Sequence, residues 1–120
     1  MGDGLVVAYL RVDNLQDQTL RTIPIRKRKF TIGRGMDNAI QLDDITISRT
    51  HTEIILDHSK FVLIDNNSTN GTWFQNEKIE NKELVHFEFG TTFRIGSFQI
   101  SILKPDVNAE ELISSPTKST

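Results

Sequence analysis

The sequence predicts an all-β protein, an antiparallel sandwich or barrel built from many short strands. Apolar and polar residues alternate in short runs, as they do in half-buried strands. Turn-forming residues separate these runs at short intervals. No window shows a helical stripe longer than about two turns. Many short strands with frequent turns are typical of sandwiches and barrels.

The predicted strands are runs rich in β-branched and aromatic residues. In chain order they cover 5–12, 21–32, 52–56, 61–64, 93–95 and 98–102. The second run is long enough for one strand or for two, with an interruption near Pro24. Trp73 and Phe74 follow a polar turn, and at least one of them is expected to anchor a returning strand in the core.

Size and composition exclude several classes of function. A length of 120 residues fits one domain. The absence of cysteine excludes disulfides, thiolate metal sites and cysteine nucleophiles, and favours the cytoplasm. The apolar runs are too short to span a bilayer, and a net charge of −2 argues against nucleic-acid binding.

The composition changes after Leu103. The segment 104–120 holds two prolines and no aromatic residue, and it closes on serines and threonines. These features predict a domain over 1–103 and a flexible tail or linker over 104–120.

Two polar stretches between predicted strands carry the candidate chemistry. Gly33-Arg34 follows one strand, where glycine is expected to let the backbone turn sharply, and Ser48-Arg49-Thr50-His51 precedes the next strand. A guanidinium offers five donors in a planar fork that matches phosphate oxygens two at a time. Taken alone, an isolated Gly-Arg is a weak signal, and an ordinary surface or salt-bridged arginine explains it better.

The second stretch is Ser68-Thr69-Asn70-Gly71-Thr72. Asn-Gly between strands is a strong turn signal, and turn formation alone explains it. The polar run before Gly71 is nevertheless longer than a minimal hairpin needs, and long polar loops on rigid scaffolds often bind ligands.

Ser48, His51 and Asp65 superficially resemble a nucleophile, a base and an orienting acid. The serine lacks a glycine-flanked elbow, and no oxyanion loop is evident. We therefore interpret His51 as structural, with its ring bonded to loop backbone and fixing Ser48. The histidines show no paired ligand spacing, so no metal is expected.

Five ordered blocks of sequence closely resemble the forkhead-associated (FHA) domain, a phosphothreonine-recognition module built as an antiparallel β-sandwich. The blocks are 32–34, 38–42, 47–54, 65–72 and 90–96. The resemblance covers about 30–103, and the strands before it fit the same fold. It implies a non-enzymatic protein-interaction module in kinase signalling, without cofactors.

The resemblance also assigns roles to individual residues. Arg34 and Ser48 would contact the phosphate oxygens, and Arg49 would add a backbone or side-chain contact. Thr69 would lie at the phosphate or beside the threonine methyl, and Asn70 would bond the peptide backbone. The residues that would shape the loops without touching ligand are Gly33, His51 and Gly71.

The sequence departs from the family pattern at three places. Ala39 replaces a common aspartate that braces the loop, Gln75-Asn76 replaces a common Asn-Gly turn, and Thr91 replaces an acidic turn residue. None of these is a proposed phosphate donor. Since asparagine tolerates positive φ, we expect the turn at Asn76 to survive.

The expected partner is a phosphothreonine-containing protein or peptide from a Ser/Thr kinase pathway, with no nucleic acid or membrane involved. The alternative on the same fold is a phosphate-independent interaction or dimerisation domain. The sequence leaves the oligomeric state and the identity of the partner open.

Overall fold

The computed structural model describes residues 5–58 and 60–105, and within these ranges every regular element is a β-strand. The part of the chain so described therefore holds no helix that could cross a membrane. The strands are β1 Ala8–Asn14, β2 Thr19–Ile25, β3 Lys29–Gly33, β4 Ile40–Gln41, β5 Thr52–Leu56, β6 Lys60–Asp65, β7 Thr72–Phe74, β8 Glu77–Lys78, β9 Val85–Glu88, β10 Thr92–Ile95 and β11 Phe98–Leu103.

The strands form two sheets, in the orders β2-β1-β11-β10-β7-β8 and β4-β3-β5-β6-β9. The pairs are antiparallel except β3 with β4, which run parallel through Ile32↔Ile40 and Gly33↔Gln41. The predicted all-β antiparallel sandwich is confirmed, with this one parallel pair as an addition. It arises because the 34–39 loop returns the chain to the side of β3, and β4 then runs beside β3 in the same direction.

The core lies between the sheets and follows from the alternation in the sequence. On β1, for example, Ala8, Leu10 and Val12 are buried, whereas Arg11 between them is exposed. Burying a large apolar side chain stabilises the fold by about 1.5–3 kcal/mol. The largest fully buried apolar side chains are Phe61, Phe93, Leu10, Ile32, Leu42, Ile47, Ile54, Leu63, Ile95, Ile100 and Ile102.

The predicted interruption near Pro24 was wrong. Residues 21–32 do divide between two strands, but the break falls at 26–28, and Pro24 pairs with Tyr9 inside β2. Because β2 is the edge strand of its sheet, the missing N–H of proline is tolerated there.

The hairpin between β7 and β8 confirms two expectations. Gln75 and Asn76 connect the strands with φ of 50° and 67°, so the turn survives without glycine. Phe74 packs against the core, with its ring centroid 4.6 Å from that of Phe87.

Strand direction brings three loops to one end of the sandwich. Thr52, the first residue of β5, pairs both with Ile32 near the end of β3 and with Asp65 at the end of β6. The loops 34–39, 42–51 and 66–71 therefore leave the sheet from the same place. The last strand ends at Leu103. The predicted tail begins at residue 104, and from 106 onward it lies outside the described residues.

Candidate functional site

A shallow depression of about 230 Å³ lies between these loops. The five residues predicted to bind phosphothreonine all line it, together with three neighbours from the 42–51 loop. The lining residues are Arg34, Ile45, Thr46, Ile47, Ser48, Arg49, Thr69 and Asn70.

Arg34 is fixed at its backbone and along its side chain. Its N–H donates to the Ser48 carbonyl at 3.0 Å, and its Nε donates to the Ile47 carbonyl at 2.9 Å. The Nε bond uses one of the five guanidinium donors, which leaves the four N–H groups of the two terminal nitrogens for a ligand. The side chain is exposed, so those groups are accessible from solvent.

Gly33 serves a different purpose from the one the sequence predicted. We expected a sharp turn, but its φ lies outside the left-handed region that favours glycine. A Cβ at this position would collide with the Arg49 carbonyl and lie 2.9 Å from Asn38 Nδ2. Glycine is therefore required because the 34–39 and 42–51 loops approach each other closely here.

Asn38 ties the same two loops together. Its Nδ2 donates to the Gly35 carbonyl at 2.8 Å and to the Arg49 carbonyl at 2.7 Å. Its Oδ1 is buried and has no hydrogen-bond partner among the described residues. The amide of Asn38 thus braces the loop although the next residue, Ala39, has no polar side chain.

His51 is fully buried and joins the two site loops through its ring. Nδ1 accepts a hydrogen bond from the Ser48 N–H at 3.0 Å, and Nε2–H donates to the Gly71 carbonyl at 2.8 Å. These partners require the neutral ring with its proton on Nε2. Burial lowers the pKa of His51, which keeps the ring in that neutral form.

Ser48 accepts rather than donates within the protein. Its Oγ accepts the Thr69 N–H at 2.9 Å, so the hydroxyl hydrogen is left for a ligand. The nitrogens of His51 bond backbone groups, and both oxygens of Asp65 accept from Ser68 and Thr72. These three side chains therefore do not form the hydrogen-bond chain of a hydrolase triad.

A buried polar network fixes the 66–71 loop from below. Asp65 Oδ1 accepts from the hydroxyls of Ser68 at 2.6 Å and Thr72 at 2.7 Å, and Oδ2 accepts the Ser68 N–H at 3.0 Å. Ser68 Oγ accepts the Gly71 N–H at 2.9 Å, and Thr52 Oγ1 lies 2.8 Å from Thr72 Oγ1. The sequence prediction missed this network as a support of the site, although Asp-x-x-Ser spacing is a recognisable side-chain-to-backbone turn signal.

Asn70 connects the network to the opposite loop. Its side-chain Nδ2 donates to the Thr46 carbonyl at 2.9 Å, and its main-chain carbonyl accepts from Trp73 Nε1 at 2.9 Å. One amide hydrogen and the Oδ1 acceptor of Asn70 remain for a ligand. Gly71 follows with φ of 90°, and a Cβ there would lie 2.8 Å from Lys78 Cε.

The charge of the depression comes from two exposed arginines, Arg34 and Arg49. Within residues 5–58 and 60–105, no group of three or more histidine, aspartate or glutamate side chains is placed to hold a metal ion. The site therefore presents hydrogen-bond donors and positive charge, which suits an anion.

Comparison with known proteins identifies the family. The sequence model of the FHA domain matches residues 30–96, more than half of the chain. FHA domain-containing protein FhaA of Mycobacterium tuberculosis is 36% identical over 88 residues, which cover 73% of this chain and 16% of that protein. The chain spans about half or less of the length of the curated relatives it matches.

Solved structures agree with the sequence comparison. A structure from a study of phosphothreonine-dependent FHA domain interactions is 31% identical, with a TM-score of 0.66, covering 82% of this chain and 99% of that chain. Mycobacterium tuberculosis EmbR, solved in complex with a low-affinity phosphopeptide, is 28% identical with a TM-score of 0.66. That match covers 81% of this chain and 24% of EmbR.

Proposed function

The chain belongs to the FHA domain family, and from that membership we propose that it binds phosphothreonine in an extended segment of a partner protein. The partner is the product of a Ser/Thr kinase, and the chain binds it without catalysing a reaction. The domain responsible is 1–103.

One observation carries the proposal. Three side chains of the depression are fixed by hydrogen bonds within the protein and still have hydrogen-bond donors that no protein group uses. Arg34 retains four N–H groups, Ser48 retains its hydroxyl hydrogen, and Asn70 retains one amide hydrogen and its oxygen. Because the protein already fixes these groups, less side-chain entropy is lost when a ligand binds.

Phosphate satisfies these donors better than a carboxylate does. A phosphothreonine brings a charge of about −1.5 to −2 and three acceptor oxygens. Arg34 and Ser48 donate to those oxygens, and Arg49 and Thr69 lie at the same depression to add further contacts. Each charge-assisted hydrogen bond contributes about 1.5–3 kcal/mol net. Three or four of them, together with shallow contacts along the peptide, suffice for micromolar affinity, which requires about 8 kcal/mol after the entropy of immobilising the peptide is offset.

Asn70 bonds the peptide backbone beside the phosphothreonine. Its free oxygen and amide hydrogen can pair with a backbone N–H and a backbone carbonyl of an extended segment. Gly33, His51 and Gly71 act behind the surface, since each holds two loops in close contact. We expect phosphothreonine to bind more tightly than phosphoserine, because the additional methyl group of threonine contacts the Thr69 side of the depression.

The test is titration of a phosphothreonine peptide pool into the wild-type chain and into Arg34 variants. Arg34→Ala should weaken binding at least about 30-fold, equivalent to about 2 kcal/mol. Arg34→Lys should also weaken it, because an ammonium cannot replace both the fork and the Nε bond to Ile47.

Arg28→Ala is the matched control, since Arg28 is exposed in the β2–β3 connection at the other end of the sandwich. It should bind like the wild type. Unchanged affinity in a folded Arg34→Ala variant would contradict the proposal. Partner capture that is equal before and after phosphatase treatment would favour the phosphate-independent alternative.

A further inference from the structure

The 42–51 loop, whose Ile47 carbonyl accepts a hydrogen bond from Arg34, also presents an apolar side chain beside the candidate phosphate site. Ile45 lines the same depression, and at 93% exposure it is the most exposed of the large apolar side chains in the described residues. A scattered exposed apolar residue is ordinary on a protein surface. The position and rigidity of Ile45 make it unusual.

Ile45 sits at the tip of a tight turn. The Ile47 N–H donates to the Asp44 carbonyl at 3.0 Å, which makes Ile45 and Thr46 the two central residues. Turn positions favour Gly, Pro, Asn, Asp and Ser, whereas a β-branched apolar side chain gains nothing from a solvated turn. The turn itself therefore gives no physical reason for isoleucine here.

The turn is rigid because hydrogen bonds hold its backbone and the residues on either side of it. Asp44 Oδ1 accepts the Thr46 N–H at 2.9 Å and the Thr46 hydroxyl at 2.6 Å. These bonds hold the pKa of Asp44 below its usual value, so the carboxylate stays ionised. The carbonyls of Thr46 and Ile47 accept from Asn70 and Arg34, which ties the turn to the phosphate donors.

A peptide anchored by its phosphate has residues close to this turn, because Ile45 and the donors line one depression. Apolar contact with Ile45 removes apolar surface from water at small entropic cost, because the backbone of the turn is already hydrogen-bonded and the β-branched side chain is stiff at χ1.

We propose that Ile45 is a specificity-determining residue, which makes the site select phosphothreonine segments carrying an apolar residue close to the phosphothreonine. This inference rests on the proposed phosphothreonine binding and names the class of segment that the site takes.

The experiment uses one phosphothreonine peptide in which leucine, serine or glutamate is placed in turn at each of the three positions on either side. At the position next to Ile45, the wild type should bind the leucine peptide about tenfold more tightly than the serine peptide, which corresponds to about 1.4 kcal/mol. The glutamate peptide should also bind more weakly than the leucine peptide, because a carboxylate makes no apolar contact with Ile45.

Ile45→Ser should reduce the leucine-to-serine ratio to about one, and Ile45→Val should keep most of it. Met36→Ser is the matched control because Met36 is 85% exposed on the 34–39 loop and does not line the depression. It should keep the wild-type ratio.

The outcomes separate the two proposals. Phosphopeptide binding with no leucine preference at any position, or a preference that survives in Ile45→Ser, would overturn the role of Ile45 and leave phosphothreonine binding standing. Failure of the wild type to bind any of the phosphopeptides would overturn phosphothreonine binding and the role of Ile45 with it.

Discussion

Replacing His51 by alanine should destabilise the protein far more than replacing an exposed histidine. The variant removes a fully buried ring that bonds the Ser48 N–H and the Gly71 carbonyl. Each buried backbone group left without a partner costs about 1–3 kcal/mol. The cavity left by the ring adds to this cost. We expect a total loss of about 3–5 kcal/mol, a large part of the usual 5–15 kcal/mol of folding stability.

This loss of folding free energy is measured by urea unfolding, with the wild type and the variants fitted to one m-value. His51→Asn should lose less than His51→Ala, because its Oδ1 can still accept the Ser48 N–H. His86→Ala is the control, since His86 is exposed on β9, and its stability should remain close to that of the wild type. A loss below about 1 kcal/mol in His51→Ala would refute the view that the ring connects the two loops.

Two further predictions follow from the same geometry. Since burial lowers the pKa of His51 from its ordinary 6.5, the unfolded chain takes up a proton that the folded chain does not. Below pH 6.5, the free energy of unfolding should therefore decrease as the pH falls, by up to about 1.4 kcal/mol per pH unit, until the lowered pKa is reached. The free energy of unfolding of His51→Asn should depend correspondingly less on pH, and a slope equal to that of the wild type would contradict this prediction. Gly33→Ala should cost at least about 2 kcal/mol in urea, because its Cβ collides with the Arg49 carbonyl. Gly90→Ala has open space around its Cβ and only left-handed strain of about 1–2 kcal/mol, so Gly33→Ala should cost more than Gly90→Ala, and an equal cost for the two would refute the close-contact explanation.

The sequence was sufficient for features that depend on local patterns. Alternation of apolar and polar residues located β10 and β11, because side chains on a half-buried strand face the core and the solvent in turn, and runs rich in β-branched and aromatic residues located β5 and β6. The polar blocks located the loop residues, and the structure brings Arg34, Ser48, Arg49, Thr69 and Asn70 to one depression.

The features that sequence reasoning missed depend on contacts between distant residues. Strands β4 and β8 have two residues each, too few to show any period, and β9 was missed although it pairs with β6 across the sheet. The carbonyls of Thr46 and Ile47 hold Asn70 and Arg34 through backbone atoms, which every residue possesses. The reason for glycine at position 33 was also hidden, because the atom that excludes a side chain belongs to Arg49.

The most direct measurement is a calorimetric titration of the chain with one peptide in three forms: phosphothreonine, phosphoserine and unphosphorylated. We expect micromolar binding of the phosphothreonine form, weaker binding of the phosphoserine form and no measurable binding of the unphosphorylated form. Phosphothreonine peptides should be drawn from a degenerate pool first, so that an unsuitable flanking sequence does not decide the result. Equal affinity for the phosphorylated and unphosphorylated forms, or no binding of any form, would contradict the account.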